Sequence, residues 1–368
     1  MQGDLLRALV VDDTAIYRRI LSESLEATGE VGYLATAPLG SLALERIERN
    51  PVDLVLLDLE MPEMDGIEVL VQIRQRWPDI SVVMVSGSTT RAAEATVTAL
   101  EAGALDFVRK PQGASAEASR AELLARLRPL LVHVRTRRHL RGTLSAEVRL
   151  PSQPQPAPAP PRFAPPPSRI AVVGIGVSTG GPNALGEVIP RLPADLGVPV
   201  LVVQHMPPLF TASLAEHLAK RSALPVREAR DGEVILPGEV LIAPGGRHMV
   251  VRSRPAQAEI AAARIVGLND QPPENSCRPS VDVLFRSMAA QYGGQLLAVV
   301  MTGMGSDGCE GIRAMKRQGC HCLTQTEATC VVYGMPASVD EAGLSDERVP
   351  LDRIAGRIAA LVKRGPDA

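Results

Sequence analysis

Short apolar runs alternate with segments of helical periodicity along the N-terminal part of the chain. The runs LRALVVDD, VDLVLLDLEMP, SVVMVSG and DFVRKP lie between residues 6 and 111. Segments between them, such as SLALERIERN and GIEVLVQIRQRW, repeat apolar residues at three- and four-residue intervals. Runs of this length alternating with helices predict a parallel, doubly wound sheet with helices on its faces.

The same alternation resumes at Ile170 and ends in the helical segment LDRIAGRIAALVKR. Between the two halves, leucines at helical spacing over residues 121–140, interrupted by Pro129, predict a connector helix with a kink. The segment PSQPQPAPAPPRFAPPPSR that follows predicts an extended, semi-rigid spacer. We therefore expect an α/β chain with two doubly wound domains, 1–120 and 169–368, joined by a helix and a proline-rich linker over 121–168.

Composition excludes several classes of partner. The net charge of -2, the sequence pI near 6.3 and an aromatic content of 2% do not suit nucleic-acid binding. No apolar run reaches the roughly 18 residues that a membrane span requires, so we expect no direct membrane insertion and a cytoplasmic location. The five cysteines, an odd number without regular spacing, fit a reducing compartment.

Polar side chains follow the predicted strands of the first domain. Asp12 and Asp13 follow the first strand, Asp58 ends the third, Ser86 ends the fourth and Lys110 follows the fifth. Ligands collect at the carboxyl ends of parallel strands, so these side chains should converge. Three converging carboxylates require a cation, and an all-oxygen set suits Mg²⁺, while a lysine and a hydroxyl beside them suit a phosphoryl group.

The motifs VVDD, LLDLEMPEMDG, VSGS and RKP resemble the response-regulator receiver domain, a flavodoxin-like fold, over residues 4–112. The resemblance implies that Asp58 is the phosphoacceptor and that a chemotaxis-type histidine kinase is the phosphoryl donor. It implies an Mg²⁺ site made by Asp12, Asp13, Asp58 and the backbone carbonyl of Glu60. It also implies that Ser86 and Lys110 sense the phosphoryl group.

The stretch IAVVGIGVSTGGPNAL, from Ile170 to Leu185, has two interpretations. Its glycines resemble a dinucleotide-binding turn, whereas G-x-S-x-G around Ser178 is the pattern of a nucleophile elbow. A dinucleotide fold needs an acid after the next strand, but VPVLVVQHMPP places Gln204 and His205 there. An imidazole is the usual general base for a serine nucleophile, so the sequence favours a hydrolase.

A third group must orient the imidazole. Asp307, in the glycine-rich loop after the strand in GQLLAVVMTGMGSDG, is favoured over Asp282, which falls in a helical pattern and suits a surface or capping role. His248, after the turn in APGGRHM, is expected to contact the substrate. The order Ser, His, Asp differs from that of α/β-hydrolases.

The motifs GVSTGGPNAL, QHMPPLFTASLAEHL, APGGRHM, RPSVDVLF, MTGMGSDG and CVVYGMP resemble the chemotaxis receptor methylesterase family, a Rossmann-like serine hydrolase, from Ile170 to the C-terminus. The resemblance implies Ser178 as nucleophile, His205 as base and Asp307 as orienting acid. It implies oxyanion donors among the backbone amides near Thr179 and Met304. One departure is Cys277, where many members carry a histidine.

Together the two resemblances imply a phosphorylation-regulated protein-glutamate methylesterase that also deamidates glutamine. The implied substrates are the cytoplasmic helical regions of methyl-accepting chemoreceptors, and the esterase needs no cofactor. The alternative is a receptor-docking scaffold with a receiver domain and little turnover. Loss of Ser178, His205 or Asp307 would mark that alternative, and all three are present.

Overall fold

The computed structural model describes residues 5–110, 116–146, 167, 169–254 and 263–363. The chain divides into two compact units, Met1–Pro160 and Pro161–Ala368. Each is a parallel sheet flanked by helices, which confirms the predicted two-domain α/β architecture. Most of the predicted proline-rich spacer, residues 151–166 and 168, lies outside the described residues.

The first unit is built on a five-stranded parallel sheet in the order β2-β1-β3-β4-β5. Its strands are β1 (Leu6–Val11), β2 (Val31–Ala37), β3 (Leu54–Asp58), β4 (Ser81–Ser86) and β5 (Asp106–Arg109). Its helices are α1 (Ala15–Glu26), α2 (Gly40–Arg49), α3 (Gly66–Arg76), α4 (Thr90–Glu101) and α5 (Ala116–Ala146). Strands β3 and β4 are buried along their whole length, as continuous apolar runs covered by helices on both faces should be.

Helix α5 belongs to the first unit over much of its length. Leu123, Leu127 and Leu131 are almost completely buried, and α5 packs against α1. Farther along, Arg138 forms an ion pair with Asp53 at 3.0 Å. The leucines at positions 123, 127 and 131, in the segment predicted as a connector helix, therefore belong to the core of this unit.

The second unit contains a seven-stranded parallel sheet in the order β14-β13-β12-β6-β7-β9-β8, with β10 and β11 as a separate antiparallel pair. The strands are β6 (Val172–Val177), β7 (Val200–Gln204), β8 (Val226–Glu228), β9 (Val240–Ile242), β10 (His248–Arg254), β11 (Ala263–Asn269), β12 (Leu296–Val300), β13 (His321–Gln325) and β14 (Glu347–Val349). The helices are α6 (Gly181–Val188), α7 (Phe210–Ala219), α8 (Val281–Tyr292), α9 (Cys309–Lys316), α10 (Met335–Glu341) and α11 (Leu351–Lys363).

The glycines of β6 make room for helix α8, which packs across this strand. A Cβ atom added to Gly174 would lie 2.8 Å from Phe285 Cε1, and one added to Gly176 would lie 2.8 Å from Val281 Cγ2. Both positions therefore require glycine for close helix packing. This explains the glycine spacing that resembled a dinucleotide-binding turn.

None of the described helices combines the length and apolar character that crossing a membrane requires.

Candidate active site

Ser178 is the first residue after β6, in the tight turn that leads into α6. Its backbone N–H donates to the Thr302 carbonyl at 3.0 Å, and its own carbonyl accepts from the Gly181 N–H at 2.8 Å. Gly180 has a φ of 75°, in the left-handed region that glycine adopts without strain. The side chain of Ser178 is half-buried at this strand-to-helix turn, the arrangement of a nucleophile elbow.

His205 lies beside Ser178 because strands β6 and β7 pair in register. Val177 is opposite Gln204, so the residues that follow them leave the sheet at the same end. The Nε2 atom of His205 lies 2.7 Å from Oδ2 of Asp307, in the loop between β12 and α9. Since β12 pairs with the other side of β6, the three residues predicted as a triad follow three neighbouring strands.

The carboxylate of Asp307 is buried and accepts five hydrogen bonds. Oδ2 accepts from His205 and from the Val281 N–H at 2.7 Å. Oδ1 accepts from the Ser280 hydroxyl, the Asp282 N–H and the Asn275 amide, at 2.8, 3.0 and 2.9 Å. Such a carboxylate is fixed in orientation, as a group that aligns an imidazole must be.

The pKa values of the pair are shifted in opposite directions. Burial by itself raises the pKa of Asp307, but the hydrogen bond and charge of His205, with two backbone amides, bring that pKa below its usual range. Burial lowers the pKa of His205, yet pairing with Asp307 and contact with Cys277 raise it above the ordinary value of an imidazole. His205 and Asp307 therefore form an ion pair when the imidazole is protonated.

The second ring nitrogen of His205 faces a thiol. Nδ1 lies 3.5 Å from Sγ of Cys277, the residue that departs from the family pattern. Because Nε2 contacts Asp307, Nδ1 is the ring nitrogen left for another partner, and in this structure Cys277 occupies that position.

The backbone around Ser178 includes the segments predicted to bind an oxyanion. A Cβ atom on Gly303 would lie 2.8 Å from Ser178 Cβ, so the loop carrying Met304 approaches the serine closely. Within the described part of the chain, the Met304 N–H makes no hydrogen bond. Thr179 directly follows the serine, and its carbonyl accepts from the Thr302 hydroxyl at 3.0 Å.

The structure corrects the role expected for His248. This side chain is completely buried, its Nε2 lies 3.1 Å from the Pro272 carbonyl, and its Nδ1 accepts from the Ser280 N–H at 3.2 Å. Both nitrogens are engaged by backbone groups, so His248 cannot contact a substrate in this conformation. It supports the segment that leads into α8.

Two further residues, Gln204 and Asp282, organise the site. Gln204 is buried, and its side-chain amide donates to the Ser178 carbonyl at 2.9 Å. Asp282 is also buried and accepts from the N–H groups of Gly308 and Gly311 at 2.9 and 2.6 Å, which anchors the start of α9. Burial and, to a smaller extent, the nearby charge of Asp307 raise the pKa of Asp282 to about 6, against the opposing hydrogen bond from the Gly311 N–H.

The sequence held only partial signals for these residues. Asp282 was expected in a surface or capping role, but it is buried, and its contact with Asn275 joins segments that no sequence pattern relates. Asn275 donates from one amide nitrogen to both Asp282 and Asp307, at 2.9 Å each. No spacing or periodicity in the sequence predicts that bridge.

The first unit brings a lysine and three carboxylates together at the carboxyl ends of its strands. Oxygen atoms of Asp12, Asp13 and Asp58 lie within 4.8 Å of one another. Lys110 Nζ lies 2.7 Å from Asp58 Oδ2 and 3.0 Å from Asp12 Oδ2. Burial and the charge of Asp12 together raise the pKa of Asp58 to about 6, against the opposing hydrogen bond from Lys110.

This group has the features of a cation site. The buried Oδ2 of Asp12 makes no hydrogen bond within the described residues, although Lys110 is close to it. Its chemistry and that of the neighbouring carboxylates fit a hard divalent ion. Glu60 is two residues beyond Asp58, and its backbone N–H is near enough to the Asp58 carboxylate to lower the pKa of that group. These residues therefore fit Mg²⁺.

Ser86 is completely buried at the end of β4, and its hydroxyl accepts from Thr96 of α4 at 2.7 Å. Among the described residues, its hydrogen-bond partners lie on α4 and in the turn before it, and Asp58 is not one of them. A phosphoryl-sensing role therefore requires this side chain to exchange partners.

Comparisons with known proteins agree with the two-domain architecture. A family model described as CheB methylesterase matches residues 173–358, and one described as response regulator receiver domain matches residues 8–121. A protein-glutamate methylesterase/protein-glutamine glutaminase of Desulfotalea psychrophila is 42% identical, over 97% of this chain and 99% of the relative. A protein of Pseudomonas aeruginosa with the same name and the number 2 is 42% identical over 96% of each chain.

Among solved structures, the CheB methylesterase catalytic domain of Thermotoga maritima is 41% identical and matches with a TM-score of 0.50. The match covers 52% of this chain and 99% of that domain.

Proposed function

The chain belongs to the CheB methylesterase family, and on that basis we propose that Ser178, His205 and Asp307 hydrolyse the γ-methyl esters of chemoreceptor glutamates. The same residues would deamidate receptor glutamines, since that reaction needs only a different leaving group. The observation that carries the proposal is the 2.7 Å contact between His205 and Asp307 beside the Ser178 elbow.

In the proposed reaction, the hydroxyl oxygen of Ser178 attacks the ester carbonyl carbon, and its proton passes to Nδ1 of His205. The Cys277 thiol gives way to Ser178 for this transfer, because it lies against the same nitrogen. Asp307, held by its five hydrogen bonds, stabilises the imidazolium that forms. The imidazolium returns the proton to the leaving methoxide oxygen, which departs as methanol.

Water then completes the cycle. His205 takes a proton from the water as its oxygen attacks the acyl-serine carbonyl, and Ser178 leaves with that proton. The product is a glutamate carboxylate. In both steps, we assign the charge on the tetrahedral oxygen to backbone amides near Thr179 and Met304, because their segments flank Ser178. One such donor typically contributes about 10² to 10³ in turnover.

We also assign control to the receiver domain, with Asp58 as phosphoacceptor. Asp12, Asp13 and Asp58, with the Glu60 backbone carbonyl, would hold Mg²⁺, which offsets negative charge on a phosphoryl group when it is bound. Lys110 already contacts Asp58, so it can follow a new dianion without a large movement. Ser86 would leave Thr96 for the phosphoryl oxygen, and this exchange couples the site to α4.

A histidine kinase of the chemotaxis type is the proposed phosphoryl donor, and the cytoplasmic helical region of methyl-accepting receptors is the proposed substrate. We propose that the unphosphorylated receiver limits access to the esterase and that phosphorylation shifts the population toward an accessible state. This regulation would suit an enzyme that acts on a bulky protein substrate.

The test is methanol release from methylated receptor membranes, with and without a small phosphoryl donor and Mg²⁺. We expect Ser178→Ala to reduce release roughly 10⁶-fold, to background. Ser41→Ala, which changes an exposed serine on α2, is the matched control and should behave as the unmodified protein does. Release should rise with the phosphoryl donor, and Asp58→Asn should abolish that rise.

The outcomes distinguish the proposed triad, the proposed control by the receiver and the scaffold alternative. Release that persists in Ser178→Ala would refute the triad, while release that ignores the donor would retain the esterase and refute the control. No release from the unmodified protein under any condition would favour the alternative of a receptor-docking scaffold with little turnover.

A further inference from the structure

A tight turn, Glu274–Cys277, brings two side chains to the His205–Asp307 pair. The Glu274 N–H donates to the Cys277 carbonyl at 3.1 Å, and the Cys277 N–H donates back to the Glu274 carbonyl at 2.9 Å. The central residues, Asn275 and Ser276, have φ values of 52° and 61°. Positive φ at both central positions defines a type I′ turn, and asparagine tolerates this conformation better than most residues.

The amide of Asn275 bridges two buried carboxylates. Its nitrogen donates to Asp282 Oδ2 and to Asp307 Oδ1, at 2.9 Å in both cases. Each carboxylate is only 2% exposed, whereas Asn275 itself faces solvent. One uncharged side chain therefore uses both of its N–H donors on a pair of like charges that would otherwise repel each other.

The turn is held in place by charge as well as by its own hydrogen bonds. Arg286 of α8 donates to both carboxylate oxygens of Glu274, from Nη1 at 2.7 Å and from Nη2 at 2.5 Å. A bidentate pair of this kind fixes geometry. Asn275 is therefore presented to the carboxylates by a turn attached to the helix that carries Asp282.

The hydrogen bonds from Asn275 affect how tightly His205, the proposed base, holds its proton. A carboxylate that loses a hydrogen-bond donor binds protons more tightly, and a paired imidazole then also holds its proton more tightly. His205 already has a pKa above its usual value because of Asp307 and Cys277. Any further increase would leave less of the neutral imidazole that must accept the Ser178 proton.

We propose that Asn275 is a positioning residue for the esterase: by donating to Asp282 and Asp307 together, it keeps both carboxylates ionised and aligned and so maintains His205 as an available base. This inference rests on the proposed function, in which His205 is the base. Asn275 acts through Asp307 and contacts none of the reacting atoms.

The charged and titratable groups around the bridge come from every element packed against it. They are Glu274 and Cys277 of the turn, Asp282 and Arg286 of α8, Asp307 before α9, His205 after β7, and His248 behind Ser280. Only Asn275 donates to both carboxylates at once among the contacts described. Its removal is therefore expected to change the proton affinity of the whole cluster.

The experiment compares Asn275→Gly with Ser276→Gly in the full-length protein. Both positions have positive φ, so glycine is relaxed at either one, and only the first change removes the bridge. We expect the acid limb of the pH dependence of kcat/KM to move to higher pH in Asn275→Gly, with activity recovering at alkaline pH. On the acid limb, where activity rises with pH, a displacement of one pH unit lowers kcat/KM at a given pH about tenfold. Ser276→Gly should keep the original limb.

Asn275→Asp provides a second variant that keeps the size and the turn preference of asparagine but adds a third carboxylate. It should displace the limb farther than Asn275→Gly, because a like charge replaces a donor. The proposal would be overturned if the acid limb of the pH dependence were unchanged in both variants. It would also be overturned by an equal loss of activity at every pH, because that is the result of destabilisation and not of a change in the pKa of His205.

A measurement without turnover keeps this test separate from that of the proposed function. The imidazole of His205 is titrated by NMR in the resting protein, with its signal assigned by its absence from His205→Gln. Asn275→Gly should raise the midpoint of that titration whether or not methanol is released. An unchanged midpoint would refute the role of Asn275 even if the Ser178-dependent esterase were established.

Discussion

Replacing Gly176 by alanine tests whether the glycines of β6 serve helix packing. The added Cβ would lie 2.8 Å from Val281 Cγ2 and 3.2 Å from Val281 Cβ, closer than such atoms normally approach. Neither strand β6 nor the first turn of α8 can retreat easily, because both are buried. Overpacking of this kind costs about 1 to 3 kcal/mol.

The matched control is Gly356→Ala in α11, where nothing lies within 4 Å of the added carbon. Alanine in a helix interior is about 0.8 to 1.0 kcal/mol more favourable than glycine, so this change should stabilise the same unit. For a domain of this size, each kcal/mol moves the melting temperature by about 2 to 4 °C. The two substitutions should therefore shift the melting temperature in opposite directions.

Differential scanning calorimetry of the full-length protein measures both shifts. The transition that rises in Gly356→Ala identifies the C-terminal unit, and the same transition should fall in Gly176→Ala. We also expect Gly176→Ala to lose methanol release, because Val281 donates to Asp307 and would be displaced with the start of α8. A Gly176→Ala protein with an unchanged transition would refute the packing explanation of this motif.

Two other predictions concern titration. Cys277→Ala removes a contact that raises the pKa of His205, so the acid limb of the pH dependence of kcat/KM should move to lower pH. This shift is opposite to the one expected for Asn275→Gly. An unchanged acid limb would show that the thiol does not affect the pKa of His205. Lys110→Met removes the hydrogen bond that lowers the pKa of Asp58, so the pKa of Asp58 should rise. Intact-mass measurement should then show less phosphoryl incorporation at neutral pH and recovery under alkaline conditions. Lys220→Met, an exposed change on the other unit, is the control for the second experiment.

The sheets were predictable because their strands are continuous apolar runs bounded by polar residues. Strands β3 and β6 are buried along their full length; β3 ends at Asp58, and β6 is followed by Ser178, both residues with a predicted chemical role. Such positions follow from topology, since the carboxyl ends of parallel strands converge. The antiparallel pair β10 and β11 was not anticipated, because its two seven-residue strands mix apolar with polar residues and do not form continuous apolar runs.

Long-range contacts account for what the sequence could not reveal. His248 follows a glycine turn, as functional residues often do, yet both of its nitrogens bind backbone groups inside the fold. Asn275 lies in an exposed turn, and only the approach of α8 and of the Asp307 loop gives its amide two partners. The leucine spacing predicted helix α5 clearly, but spacing alone does not show against which part of the chain those leucines pack.

The order of strands in the second unit has a consequence for how this enzyme can diversify. The proposed chemical residues follow β12, β6 and β7, the middle three of seven strands, whereas β8 and β14 lie at the two margins. Changes confined to the loops at the marginal strands should therefore leave the alignment of Ser178, His205 and Asp307 intact, and a chimera carrying the outer loops of a relative should retain methanol release.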